Sequence, residues 1–168
     1  MEDCESHASR IFLLVQREYP DRPLVGVGGV IIHEERALIV QRGKPPRQGE
    51  WTVPGGMLEL GETLRGGTER EVLEETGLVV KAGEVLDVFD SIHSDREGRT
   101  QYHYVLVDFL CTWMGGELKA ASDVAQARWI SREELESMPL IGFTAQVIKK
   151  AFEARGEETR PFGHNISD

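Results

Sequence analysis

The chain has 168 residues, of which 40% are hydrophobic, and a formal net charge of −10 at pH 7. This length suits one domain with its own core. The negative charge repels a polyanionic backbone and so argues against duplex DNA or RNA as a partner. No apolar run approaches the roughly 20 residues of a membrane span, and the acidic, polar amino terminus is unlike a signal peptide. We therefore expect a cytoplasmic protein with no membrane partner.

The turn-forming run Tyr-Pro-Asp-Arg-Pro at residues 19–23 is the first break in the chain. It predicts an amino-terminal arm (1–22), a domain (23–155) and a polar tail (156–168). The arm contains the apolar run Ile11 to Val15, which is too short for periodicity to decide between helix and strand. It could pack on the domain or on a second subunit, so a monomer and a homodimer both remain open.

Two β-rich segments follow, from Leu24 to His33 and from Ala37 to Arg42, and a polar turn between them predicts a hairpin. The glycines of the first segment do not have the spacing of a dinucleotide fingerprint, and no helix follows them. They indicate bulges or close backbone packing instead. A loop, a short strand at Trp51 and a tight turn at Pro54-Gly55-Gly56 come next.

Three glutamates, Glu71, Glu74 and Glu75, lie three and four residues apart in a helical pattern that runs from about residue 63 to residue 76. At helical pitch their carboxylates share one face, where like charges cost roughly 0.2–0.5 kcal/mol per pair. A bound Mg²⁺ would offset this repulsion, because it prefers oxygen ligands. The alternative is a solvated acidic face.

The rest of the chain alternates β and helical patterns. Segments 80–92 and 100–114 read as strands joined by a polar loop at 93–99, and segment 127–130 reads as a short strand. Ser131 and Glu134 have capping-box spacing, which predicts a helix start, and apolar spacing predicts a second helix over 144–154. Cys111 lies in an apolar run and is expected in the core. This order of elements is typical of an α/β/α sandwich.

The segment that holds the glutamates reads Gly56, five residues, Glu62, seven residues, Arg70-Glu71-Val72, one residue, Glu74-Glu75, one residue, Gly77-Leu78. It resembles a complete Nudix box. The resemblance implies an α/β fold, a mixed sheet between helices with a loop-helix-loop catalytic motif. It also implies Mg²⁺-dependent hydrolysis, with Mn²⁺ as an alternative ion, of a small nucleoside diphosphate linked to another moiety.

The same resemblance assigns roles to the residues of this segment. Glu71, Glu74 and Glu75 match metal-ligating glutamates, and the carbonyl of Gly55 matches a further ligand. Arg70 matches an arginine that orients the carboxylates, and we count it among the catalytic residues. Its expected partner is the acidic residue at the start of the box, Glu62.

The implied reaction is attack on phosphorus by a water that a cation activates, with a carboxylate as the base. The resemblance offers two candidates for this base: Glu71, and Asp123 in the loop before the strand that contains Trp129. Family members often have glutamate at the second position, and Glu117 is a further candidate.

Substrate contacts are predicted from residue type alone. Arg42, Lys44 and Arg47 could bind phosphates or a terminal ribose, whereas the aromatic side chains of Trp51, Tyr102 and Tyr104 could stack on a base. The alternative for Trp51 is a core position.

We favour an ADP-ribose-like sugar nucleotide as substrate, because the resemblance is to small bacterial Nudix proteins of that group. The alternatives are a nucleoside triphosphate pyrophosphohydrolase, including one that acts on oxidised nucleotides, and a nucleotide-binding sensor without turnover.

Overall fold

A computed structural model describes residues 16–44 and 47–158, with side chains up to Gly156. The predictions for the apolar run Ile11 to Val15 and for the tail beyond residue 158 lie outside these residues. Within them, no helix is both long and apolar enough to cross a membrane.

Seven strands and three helices make up the described fold. The strands are β1 (Leu24–His33), β2 (Arg36–Arg42), β3 (Trp51–Thr52), β4 (Gly55–Met57), β5 (Leu78–Ser94), β6 (Thr100–Gly116) and β7 (Val124–Ser131). The helices are α1 (Leu64–Thr76), α2 (Arg132–Leu135) and α3 (Thr144–Glu158). The main strand order is β3-β2-β1-β6-β5, with β4 paired to β1 and β7 to β2. Because β1 and β6 are parallel and the other pairs antiparallel, the sheet is mixed.

The β1–β2 hairpin is confirmed, and its two strands separate soon after the turn. Glu34 and Glu35 both have positive φ, 46° and 58°, as the two central residues of a tight primed turn do. Beyond the turn, β1 and β2 pair only at Ile32 and His33. The remainder of β1 pairs with β4, with Gly28 opposite Gly55, whereas β2 pairs with β3 and β7. The turn between β3 and β4 therefore lies where the two halves of the sheet separate.

Hydrophobic packing on both faces of the sheet confirms the α/β/α architecture. One buried cluster contains Val72 of α1 with Ile31, Leu38 and Phe109, and the other contains residues of α3. The four apolar positions predicted for α3 are all buried: Val147, Ile148, Ala151 and Phe152. Cys111 is fully buried, as expected.

Helix α1 packs through small and polar side chains rather than a leucine stripe. The side chains of Leu64 and Leu73 are exposed, whereas Thr68 and Thr76 are fully buried. Each threonine hydroxyl donates to the carbonyl four residues earlier, at 2.9 and 2.6 Å, which satisfies it inside the protein. A Cβ at Gly67 would come within 2.9 Å of Leu58 Cδ1, so this glycine allows the helix to lie close to its preceding loop.

Several predicted boundaries differ from the observed ones. β5 continues through His93 to Ser94, which the sequence placed in a loop, and β7 begins at Val124 rather than residue 127. α3 extends to Glu158, so residues 156–158 continue the helix instead of starting a tail. The Ser131–Glu134 capping box forms as predicted, on a helix of four residues. Strand ends differ because pairing with neighbouring strands, which local pattern does not reveal, extends them.

Candidate active site

Two carboxylates of α1 lie against the β4 backbone. The amide of Gly55 donates to Glu75 Oε2 at 3.0 Å. A Cβ at Gly56 would lie 2.4 Å from Glu71 Oε1, so that carboxylate packs directly on the glycine. The absence of side chains at both glycines therefore lets the helix bring its carboxylates to the turn.

Arg70 connects Glu71 and Glu74 to the loop before α1. Its Nε and Nη2 donate to the two oxygens of Glu62 at 2.7 and 3.0 Å, and Nη2 also donates to the Met57 carbonyl at 3.1 Å. Its Nη1 donates to Glu71 at 3.0 Å and to Glu74 at 3.2 Å. The bidentate pair with Glu62 fixes the plane of the guanidinium, which in turn orients Glu71.

The carboxyl groups of this cluster differ in their pKa values. Burial raises the pKa of Glu75 to about 7, despite the hydrogen bond from Gly55, and burial also raises the pKa of Glu71. In contrast, hydrogen bonds from Arg70 lower the pKa of Glu62 to about 2. Glu62 is thus the firm partner of Arg70, whereas Glu71 and Glu75 carry negative charge that their surroundings do not fully offset.

The donor atoms present fit a hard divalent cation. Within residues 16–44 and 47–158 no three acidic, histidine or cysteine side chains are grouped closely enough to hold an ion as they stand. Glu74, whose side chain is 51% exposed, pairs with Arg70 Nη1 at 3.2 Å. A cation at Glu71 and Glu75 would supply the positive charge that these buried carboxylates lack, and oxygen ligands suit Mg²⁺.

The loop before β7 brings Asp123 beside Glu75. The amides of Lys119 and Ala121 donate to the carbonyls of Thr76 and Glu75 at 2.9 and 3.0 Å, and so cap the carboxyl end of α1. The Asp123 carboxylate forms an ion pair with Lys44 and contributes to the raised pKa of Glu75. The other candidate base in this loop, Glu117, packs its backbone on Gly77.

The charge of Arg42 acts on both Glu75 and the predicted tyrosine pair. Its positive charge lowers the pKa of both the Glu75 carboxyl and the Tyr104 phenol, against the larger upward effect of burial on each. The rings of Tyr102 and Tyr104 stack with centroids 6.4 Å apart and an interplanar angle of 12°. Arg42 is therefore close enough to act electrostatically on both Glu75 and Tyr104, and Tyr104 stacks on Tyr102.

The remaining predicted substrate residues, Arg47 and Trp51, lie in two different places. Arg47 reaches β5, with Nη2 3.4 Å from His93 Nε2. Trp51 is 8% exposed in the core, with the Arg128 guanidinium 5.8 Å from its ring centroid. This position favours the alternative that Trp51 is a core residue over stacking on a base.

Two residues that the sequence did not single out, Ser91 and His93, border this region. In β5 they lie opposite Tyr104 and Tyr102, respectively. The period-two alternation of β5 would put Ser91 and His93 on one face, but their tyrosine neighbours depend on the register with β6. The pattern of β5 alone could not have shown this pairing.

Comparisons with known proteins agree with the site. The NUDIX domain model matches residues 22–151. An ADP-ribose pyrophosphatase of Methanocaldococcus jannaschii is 34% identical over 130 residues, covering 77% of this chain and 73% of that protein. A MutT-like protein of Streptomyces ambofaciens is 32% identical over 128 residues, covering 74% of this chain and 76% of that protein.

Among solved structures, an ADP-ribose pyrophosphatase of Streptococcus suis matches with a TM-score of 0.60 and 26% identity, over 80% of this chain and 92% of that one. The family match and the sequence relatives extend over most of the chain and include the whole glutamate segment. The chain belongs to the Nudix family and is a Nudix hydrolase.

Proposed function

We propose that this hydrolase cleaves an ADP-ribose-like nucleoside diphosphate sugar, with Mg²⁺ or Mn²⁺, to AMP and a sugar phosphate. The observation that carries the proposal is the stacked pair of Tyr102 and Tyr104, with ring centroids 6.4 Å apart, near Arg42, whose charge acts on both Tyr104 and Glu75. A diphosphate beside Arg42 would meet the carboxylate site at one end, and its nucleoside could stack on the tyrosine pair at the other. The 34% identical relative named ADP-ribose pyrophosphatase supports this choice.

The residues that would hold the cation are Glu71, Glu74, Glu75 and the carbonyl of Gly55. When bound, the ion neutralises diphosphate charge and lowers the pKa of water. The chain contributes the orientation: Arg70 holds Glu71 from one side, and the Gly55 amide holds Glu75. Glu74 would leave Arg70 to join its two neighbours.

Asp123 is the base that we propose, because its loop lies beside Glu75 and its carboxylate is 57% exposed. We expect Asp123→Asn to lower kcat about 100-fold, the lower end of what general-base catalysis contributes. Glu117→Gln, in the same loop, is the matched comparison. Normal turnover by Asp123→Asn would move the role to Glu71, or to Glu117 if the second variant is slow.

A nucleoside triphosphate pyrophosphohydrolase is the rival function, and the relative named MutT-like protein favours it. The two reactions release different products. An ADP-ribose-like substrate gives AMP and ribose 5-phosphate, whereas a nucleoside triphosphate gives a nucleoside monophosphate and pyrophosphate.

The test is Mg²⁺-dependent turnover of a panel that contains ADP-ribose, other sugar nucleotides, dinucleoside polyphosphates and normal or oxidised nucleoside triphosphates. Products are separated by chromatography, and Glu75→Gln protein prepared identically measures any contaminating activity. We expect ADP-ribose to have the highest kcat/KM. Faster release of pyrophosphate from a triphosphate would overturn the proposal in favour of the rival.

A further inference from the structure

His93 accepts a hydrogen bond from Arg47. Its Nε2 lies 3.4 Å from Arg47 Nη2 and 3.1 Å from the hydroxyl of Ser91. A guanidinium carries only donors, so His93 Nε2 is the acceptor in this contact. The Ser91 hydroxyl can donate to the same atom.

The strand register places this contact at the Tyr102 end of the tyrosine pair. His93 is directly opposite Tyr102 in the antiparallel β5–β6 pair, and cross-strand partners project from the same face. Tyr104 lies level with Leu24 of β1, four residues before Gly28, the partner of Gly55. At about 3.3 Å per residue this is roughly 13 Å along the strand, so His93 lies still farther from the glutamates.

The loop that carries Arg47 is hydrogen-bonded to β2. In the sheet, β1 and β6 lie between β2 and β5, the strand of His93. The amide of Arg42 donates to the Glu50 carbonyl at 3.0 Å, and Gln41 Nε2 donates to the Gly49 carbonyl at 2.8 Å. Arg47 itself has a positive φ of 65°, which costs energy for a residue with a side chain. Within this loop the Glu50 amide donates to the Arg47 carbonyl at 3.2 Å, and Arg47 Nη1 lies 3.7 Å from Glu50 Oε2.

We propose that His93 is a positioning residue that holds the Arg47 guanidinium over the Tyr102 end of the tyrosine pair, where it donates to the nucleoside half of the substrate. Arg47 has five N–H donors, and its side chain is 39% exposed. Acceptor atoms of a base or its ribose would take donors that neither His93 nor Glu50 uses. The inference rests on the proposed function for the identity of the substrate.

The test uses the two products as separate probes, so it does not depend on turnover. Dissociation constants for AMP and ribose 5-phosphate are measured by calorimetry with Mg²⁺ for the wild type, Arg47→Ala, His93→Leu and the double variant. We expect His93→Leu to weaken AMP binding about threefold to tenfold, as for the loss of one ordinary hydrogen bond, with ribose 5-phosphate binding unchanged. In the Arg47→Ala background, His93→Leu should add little, because the residue it positions is gone.

Two control variants separate positioning from a general structural role. His93→Gln keeps an acceptor near the same place and should restore AMP binding to within about twofold of the wild type. His103→Leu changes the same residue type on the opposite face of the hairpin and should not alter AMP binding. Equal AMP affinity of His93→Leu and wild type, or additive losses in the double variant, would overturn the inference.

The outcomes for the inference and for the proposed function are distinguishable. If the wild type hydrolyses ADP-ribose but the His93 variants bind AMP equally, the function stands and the inference fails. If ADP-ribose is not hydrolysed but the Arg47–His93 coupling appears in AMP binding, the inference stands and the proposed substrate fails.

Discussion

The glutamate site and the tyrosine surface are built in opposite ways. The glutamate site consists of Glu71, Glu74 and Glu75 with Arg70 and Gly55, all close together in sequence. The tyrosine surface consists of Tyr102, Tyr104, Arg42, Arg47 and His93, which come from β2, its following loop, β5 and β6. The first is held by one helix and its preceding turn, so local geometry is enough to form it. The second exists only because distant strands align, and we expect it to set binding rather than chemistry.

The largest expected effect is at the glutamate site. Glu75→Gln should lower kcat more than about 100-fold, the upper end for losing an outer-shell partner of a metal, because here a proposed ligand itself is lost. Stability should not fall, since the variant removes a buried charge. Steady-state kinetics and thermal unfolding measure both quantities. Unchanged turnover would exclude Glu75 from the site.

A glycine substitution in the adjoining turn should lower kcat by a smaller factor. Gly56→Ala would put a Cβ 2.4 Å from Glu71 Oε1 and displace that carboxylate. We expect kcat to fall about 10- to 100-fold, the range for displacing a supporting group at a metal site. Gly115→Ala is the control, because a Cβ there meets no atom within 4 Å. Similar kinetics for the two variants would show that Glu71 does not depend on the turn.

At the tyrosine surface the loss should fall on KM. Tyr104→Leu should raise KM for ADP-ribose roughly tenfold, because stacking contributes about 1–3 kcal/mol per base. Tyr104→Phe keeps the ring and should behave like the wild type. A loss confined to kcat in Tyr104→Leu would contradict the division between the two regions.

Asp108 sharpens the comparison, because it is a buried carboxylate outside both regions. It is 6% exposed, and burial raises its pKa to about 6, with a further contribution from Asp87, which pairs with Lys150. Below about pH 4 Asp108 is neutral in both folded and unfolded chains. Between about pH 4 and 6 the unfolded chain releases the proton first, so the free energy of unfolding falls as pH rises and levels off above about 6.

We therefore expect Asp108→Asn to raise the free energy of unfolding at pH 7 by about 1–3 kcal/mol and to change it little at pH 4. Turnover should stay normal, in contrast to Glu75→Gln, because burial of a carboxylate does not by itself make a catalytic site. Denaturant unfolding at the two pH values measures the difference. If the free energies of unfolding of Asp108→Asn and the wild type differ equally at pH 4 and pH 7, the burial of an ionised Asp108 does not cause the difference.

Much of the fold follows from local pattern in the sequence. The β1–β2 hairpin, the α1 boundaries at Thr63 and Gly77 and the Ser131 capping box were all predicted and observed. Each depends on residues within one turn or one helix, where steric and capping preferences act directly. Two other predictions differ from the structure. Trp51, a candidate stacking residue by type, lies in the core, and His93, in the predicted polar loop, lies in β5.

The sequence by itself determined the chemistry of this protein. The spacing of Arg70, Glu71, Glu74 and Glu75 fixes their common helix face, because 3.6 residues per turn leave no alternative once the helix forms. Tertiary structure alone decided where Arg42 and Arg47 point and which strand residues face them. That outcome depends on the register of β5 against β6 and on the separation of β1 from β2. A shift of β5 by one residue against β6 would turn His93 to the face opposite that of Tyr102 and Tyr104.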